Sequence, residues 1–272
     1  MRRPIFAAVA SAALVLSACS SGGDGGTTPS ATATESPKAA AVNVTATEYA
    51  FSVPAEVPGG VVEMRFSNTG KLPHEFGFIR IKEGKTEADV EAVITSREEP
   101  PGWMHDVAGV PGLSPNQSVT VTRTLGAGSY VFICYFPDPE GTPHAALGMS
   151  ELFTIAGDTG AALPLPDAII TATDDGLQVP TLTPGEQVVQ FENAGSRPHE
   201  LFIAVFEPGM GVKDIDRWIE GGYQGEPPAT FLGGMQTIPA GESVFLTIDL
   251  DPGVEYTAHD FSTRSMETFT VT

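Results

Sequence analysis

Cysteine is nearly absent from this chain, with only Cys19 and Cys134 in 272 residues. Cys19 falls in the leader segment described below, which leaves one thiol and excludes an intramolecular disulfide framework. Basic residues are scarce too: 14 Lys and Arg stand against 34 Asp and Glu, a formal net charge of −20. Nucleic acid, which needs a basic footprint, is excluded as a partner. No long stretch has helical periodicity, and 30 Gly and 23 Pro interrupt the chain, which argues against an all-α fold. Hydrophobic residues make up 41%, enough for packed cores, so wholesale disorder is excluded. At roughly 100–200 residues per domain the length suits one large domain or two small ones.

The first residues are an address. Met1-Arg2-Arg3 is a positive start, and Ala7 to Leu16 is an apolar run too short to span a bilayer. Leu16-Ser17-Ala18-Cys19 closes it and resembles a bacterial lipobox, in which the Cys receives the lipid and becomes the new N-terminus. Residues 1–19 are therefore expected to be a lipoprotein signal with Cys19 as the lipidation site. Residues 20–40 are rich in Ser, Thr, Gly, Ala and Pro and bury too little apolar surface to offset ordering entropy. They read as a flexible tether, which places the protein on the extracytoplasmic face of the cell membrane.

The remainder is one unit written twice. Val44-Thr45-Ala46-Thr47-Glu48 returns as Ile170-Thr171-Ala172-Thr173-Asp174. Further on, Phe66, Asn68, Gly70, Pro73, His74 and Glu75 recur as Phe191, Asn193, Gly195, Pro198, His199 and Glu200, each 125 positions later (199 − 74 = 125). A match this long indicates duplication. It gives a first domain at 41–157, a Gly/Ala/Pro-rich linker at 158–166 and a second domain at 167–272. Short runs alternate apolar and polar residues between Gly, Pro and Asn turns, the pattern of half-buried strands. In the first copy these are Asn43–Tyr49, Val61–Ser67, Glu75–Ile81, Ser118–Leu125, Ser129–Phe136 and Glu151–Ile155. Val90, Val93 and Ile94 instead share one face of a short helix over Thr86–Thr95, repeated at Lys213–Glu220. The expected fold is all-β, two tandem β-sandwiches each carrying one helix.

The chemistry-bearing residues of the first copy come in the order His74, Cys134, His144, Met149. A thiolate, two imidazoles and a thioether suit copper rather than calcium or magnesium. The order Cys-x9-His-x4-Met, with an upstream His at a strand end, resembles the type 1 (blue) copper site of the cupredoxins. The resemblance implies Greek-key sandwiches and one copper held by His74, Cys134, His144 and Met149. It also implies Cys134 as the electron path and His144, as the more exposed imidazole, as the exit toward a redox partner. Asp138, Glu140 and Glu75 nearby favour a basic partner. Each of these residues also has a plainer reading. Cys134 suits a buried strand, Met149 a core, His144 a surface loop, and His74 a structural role shared with His199.

The second copy lacks the set. At an offset of 125 the Cys134 position falls on His259, about nine residues of the following loop are missing, His144 has no counterpart, and Met266 is one place off the Met149 position. Whether His199 and His259 hold any metal is left open, and His105 reads as surface. Laccase-like oxidases need His-x-His pairs, which are absent, and nitrite reductases place a second copper ligand immediately before the Cys, where this chain has Ile133. The sequence thus leads to the expectation of a protein that is not an enzyme: a lipid-anchored single-electron carrier. A copper carrier with the same ligands and a metal-free interaction module are the alternatives.

Overall fold

The alternation that marks the strands also decides their faces. In β4 (Gly60–Asn68) Val62, Met64 and Phe66 point inward and are at most 1% exposed, while Arg65 on the other face is exposed. In the computed structural model, residues 37–96, 100–107 and 109–272 are described; the signal, Cys19 and residues 20–36 of the tether lie outside them. The first half contains β1 (Ala40–Thr47), β2 (Ala50–Ser52), β3 (Glu56–Pro58), β4, β5 (His74–Ile81), α1 (Glu87–Ser96), β6 (Met104–Asp106), β7 (Val110–Leu113), β8 (Ser118–Leu125), β9 (Gly128–Ile133) and β10 (Ser150–Ala156). The second contains β11 (Ala168–Thr173), β12 (Gly176–Gln178), β13 (Gly185–Asn193), β14 (His199–Phe206), α2 (Val212–Glu220), β15 (Ala229–Ile238), β16 (Ser243–Leu250), β17 (Glu255–Asp260) and β18 (Ser265–Thr270). Among the described residues the fold is all-β, with one α-helix inserted in each half and a single 3-10 turn at His144–Leu147 in the first.

Each helix is held where the sequence pattern places it. Thr86 and Asp89 close a reciprocal cap before α1: the Thr86 N–H donates to Asp89 at 2.9 Å and the Asp89 N–H to Thr86 Oγ1 at 3.3 Å. Val90, Val93 and Ile94 then pack on Ile79, Val131 and Ile133. In α2, Ile215 and Trp218 pack on Phe202 and Phe231.

The repeat boundary is not a boundary of the sheets. One sheet runs β12-β11-β13-β16-β8-β4-β1-β2 and the other β18-β17-β14-β15-β7-β5-β9-β10-β3, with β6 beside β5, so both cross from one half to the other. In the first sheet the joint is between equivalent strands. Thr120 pairs with Thr247, Val121 with Leu246 and Thr122 with Phe245, so β8 meets its own copy about a local two-fold centred on Val121 and Leu246. In the second, β7 pairs β15 at Leu113 and Leu232. Neither β7 nor β15 is evident in the sequence. Pro111-Gly112 in one and Gly233-Gly234 in the other read as breaks, yet the two glycines of β15, at φ of 97° and 124°, pair in step with Ile203 and Phe202, and the strand's bulge falls at the adjoining Leu232. A Cβ on Gly233 would lie 2.9 Å from Val119, and one on Gly234 would overlap the Leu201 carbonyl.

Candidate metal centre

The repeated Asn-x-Gly-x-x-Pro-His segment is a positioning device in both halves. Asn68, 1% exposed, donates through Nδ2 to the carbonyls of Leu72 and Leu113, both at 2.8 Å, and accepts the Gly70 N–H at 2.9 Å. Asn193 repeats this on Arg197, Ile238 and Gly195, each at 2.9 Å. The loop is thus fixed to the opposite strand, and the His opens the next strand facing the interior. A Cβ at position 70 would come within 2.5 Å of the Glu48 carboxylate and 3.1 Å of His74 Nε2, so a larger residue would push the Glu48 carboxylate off its place beside the loop.

Opposite His74, Cys134 directly follows β9, and its N–H donates to the Met149 carbonyl at 3.2 Å. The intervening loop is tied to itself. The His144 N–H bonds the Phe136 carbonyl and the Ala145 N–H the Cys134 carbonyl, both at 2.8 Å, and the Met149 N–H bonds the His144 carbonyl at 2.9 Å. Asp138 anchors the turn by accepting the N–H groups of Glu140 and Thr142 at 3.0 and 2.7 Å. This brings three donors to one point: the two Nδ1 atoms of His74 and His144 lie 3.1 Å apart, and Cys134 Sγ lies 3.4 Å from His144 Nδ1 and 3.9 Å from His74 Nδ1. His74, Cys134, His144 and Met149 are all 0% exposed.

These separations fit a shared ion. Metal–nitrogen and metal–sulfur bonds run about 2.0–2.3 Å, so donors to one ion lie no more than about 4–4.5 Å apart, and all three do. The Nε2 atoms of both imidazoles are buried without a hydrogen-bond partner, so the rings' polar contacts run through the Nδ1 atoms that face Cys134 and each other. Burial, reinforced by the adjacent imidazole, pushes the His74 pKa down to about 4, and burial lowers that of His144. Both rings are therefore neutral near pH 7, as ligands must be. Burial and the Glu75 carboxylate raise the Cys134 thiol, so its thiolate needs a cation beside it. Two imidazoles, a thiolate and a buried thioether are a copper donor set.

His144 is not the more exposed imidazole, contrary to the sequence reading. Both rings are 0% exposed, and Tyr49, with its ring centroid 5.0 Å from that of His144, packs over it. Tyr49 is the residue that sequence reasoning missed, and its positive φ of 63° shows that a tight turn holds it there. Two of the three acidic residues named for partner attraction are occupied: Asp138 is 8% exposed and bonded to its loop, and Glu75 accepts the Tyr135 N–H at 2.6 Å.

In the second half the strand register corrects the residue assignment. Gly77 pairs with Ile133, but Phe202, its equivalent, pairs with His259, so the structural offset on this strand is 126 and Asp260, not His259, stands at the Cys134 position. A shift of one residue turns a side chain to the other face of the sheet. Asp260 therefore meets His199, Oδ2 to Nδ1 at 2.7 Å, where Cys134 meets His74 in the first half. Asp174 reaches His199 Nε2 at 3.3 Å, and Ser262 and Thr263 donate to Asp260 at 2.6 and 2.8 Å. Asp260 pairs with Ser265, the counterpart of Met149. Four residues separate Asp260 from Ser265, against fourteen between Cys134 and Met149, so the deletion is ten (14 − 4) rather than nine. His105 is exposed, on β6.

The chain matches no protein-family model and no curated protein. Among solved structures it is similar to auracyanin A, a "blue" copper protein from Chloroflexus aurantiacus, at 25% identity over 44% of this chain and 100% of that one, with a TM-score of 0.31. Across both halves it is similar to a multicopper oxidase, at 14% identity over 85% of this chain and 88% of that one (TM-score 0.27). It is likewise similar to the copper nitrite reductase of Nitrosomonas europaea, at 15% identity over 86% and 94% (TM-score 0.25). The chains alike over both halves are named as enzymes, so the expectation that this protein is not one is withdrawn. The chain is an all-β protein whose two halves share their sheets, with a buried set of two imidazoles, a thiol and a thioether of the copper-binding type in the first.

Proposed function

We propose that the protein is a lipid-anchored, extracytoplasmic copper protein that passes single electrons to and from a protein partner through the first half. The observation that carries this reading is the convergence of His74 Nδ1, Cys134 Sγ and His144 Nδ1 within 3.9 Å of one another in a fully buried setting. A copper ion held there supplies one-electron chemistry. The chain's own residues fix the donors on three hydrogen-bonded segments, exclude water from them and limit rearrangement between charge states. The Lys71 and Leu72 N–H groups bond the Glu48 carboxylate next to Tyr49, so with exposed Glu140 a negative rim lies over the His144 side. A basic partner would dock there. Anchoring would follow from Cys19 and reach from the residues after it.

Copper titration with visible absorption tests the site. The wild type should take up Cu(II) with an intense thiolate band. Cys134→Ser should lose the band with unchanged far-ultraviolet circular dichroism, and Met149→Leu should keep the band and raise the potential, because the axial ligand tunes the site without building it. A colourless, folded wild type would refute the reading. For the anchor, Cys19→Ala should release the protein from membranes or leave it unprocessed.

A further inference from the structure

Six methionines lie in the described residues. Four of them, Met64, Met104, Met149 and Met235, are at most 7% exposed and serve the interior. The other two, Met210 and Met266, are 50% and 47% exposed, and both line the same cleft of about 620 Å³ in the second half. The third soft donor of that cleft is His259, 4% exposed, whose Nδ1 has no hydrogen-bond partner. Exposed thioethers gain nothing from core packing, and their coincidence with a buried unsatisfied imidazole calls for a common cause.

The topology supplies that cause. His259 and Met266 are directly opposed in the antiparallel pair β17–β18, which puts their side chains on one face with Cβ atoms about 4.5–5.5 Å apart. That face looks toward α2, away from His199 and Asp260. Met210 sits between Gly209 and Gly211 in the turn before α2, its N–H bonded to the Glu207 carbonyl at 2.9 Å, and so projects into the cleft from the other side. The edge of His259 rests against Phe261, with ring centroids 4.1 Å apart, which restricts the imidazole. Burial lowers the His259 pKa against the raising fields of Asp216 and Asp260. Asp216 faces the same cleft and adds a negative field, and the carboxylate of Asp214 is held by the Gly211 N–H at 2.9 Å and by Arg217 at 2.7 Å.

We propose that His259, Met266 and Met210 form a second metal site, selective for a soft monovalent cation of the Cu(I) class. One imidazole and two thioethers, with no thiolate, satisfy a low-coordinate soft ion and disfavour Cu(II), Zn(II) and hard cations. The site is open where the first is closed, so its metal is exchangeable.

The test is Cu(I) titration of the full chain against a coloured Cu(I) chelator under reducing conditions. Wild type should withdraw two equivalents and Cys134→Ser one. Adding Met210→Leu and Met266→Leu to Cys134→Ser should weaken the remaining equivalent by 10–100-fold or more, on the order of what disturbing a metal's supporting residues costs. These two positions are exposed, so the leucines leave the fold intact. X-ray absorption of the copper in Cys134→Ser should show sulfur and nitrogen neighbours together. Failure of Cys134→Ser to bind Cu(I), or binding indifferent to both leucines, would overturn the proposal. The Cu(II)–thiolate band of the wild type is read separately and reports only on the first site.

Discussion

Asn193 and Glu200 separate two kinds of buried polarity in the second half. Asn193 is fully satisfied, and Asn193→Ala would leave the Arg197 and Ile238 carbonyls and the Gly195 N–H without partners. The expected loss is about 2–4 kcal/mol, read by urea denaturation. Glu200 is the reverse case. Burial, with Asp260 nearby, raises its pKa from 4.5 to about 7 against the Phe261 N–H that lowers it. The folded state then binds the proton more tightly than the unfolded state, so stability is lost as pH rises from about 4.5 through about 7. Glu200→Gln keeps an oxygen for the Phe261 N–H and removes the charge. It should flatten this fall and stabilise the protein by about 1–3 kcal/mol at pH 8, with little change at pH 4. The order of His74, Cys134, His144 and Met149, through its resemblance to a known copper site, anticipated the cluster that His74, Cys134 and His144 form. Tyr49 over His144 could not be anticipated, because nothing in a lone tyrosine after a strand says which loop, nearly a hundred residues on, will come beneath it.

The hairpin after β9 and its shortened copy after β17 show what a strand pair can and cannot do alone. β14 and β17 retain the frame, with His199 facing position 260 as His74 faces Cys134. The four residues from 261 to 264 contain no histidine and close the turn directly. Asp260→Cys should therefore give no thiolate-to-Cu(II) band in a Cys134→Ser background. Replacing residues 260–265 by residues 134–149 in that background should give one, since the graft returns a thiolate, an imidazole and a thioether to a strand end that still carries its histidine. Absorption spectra of the two variants decide this. The sequence offset of 125, anchored on Phe136 and Phe261, misassigned Asp260 because equal spacing of aromatic residues does not report pairing. The carboxylates of Glu75 and Glu200 do report it: they bond the N–H groups of Tyr135 and Phe261, one step out of the sequence alignment. Helices α1 and α2 were readable because a three-and-four spacing has no strand equivalent, whereas β7 and β15 were hidden by the glycines that let them bend.

For the molecule, the joining of like strands means that neither half has a finished edge of its own. Cut free, residues 37–157 would expose β8 and β7. Because β8 already pairs an equivalent strand about a two-fold, a second copy of the first half could take the place of β16. The isolated first half is expected to run as a dimer or larger species in light scattering, while the full chain has this edge filled internally. The same seam has a thermodynamic corollary. Sheets shared by two halves melt together, so free energy from metal bound at Cys134 is distributed over residues that never approach it. At a free metal concentration a thousand times the dissociation constant this amounts to about 4 kcal/mol. Trp218 lies in the second half and Trp103 in the first. With Trp103→Phe and both exposed methionines replaced by leucine, the fluorescence melting curve of Trp218 alone should move to higher temperature when the first site is filled, and the half that lost its own ligands would be stabilised by its neighbour's.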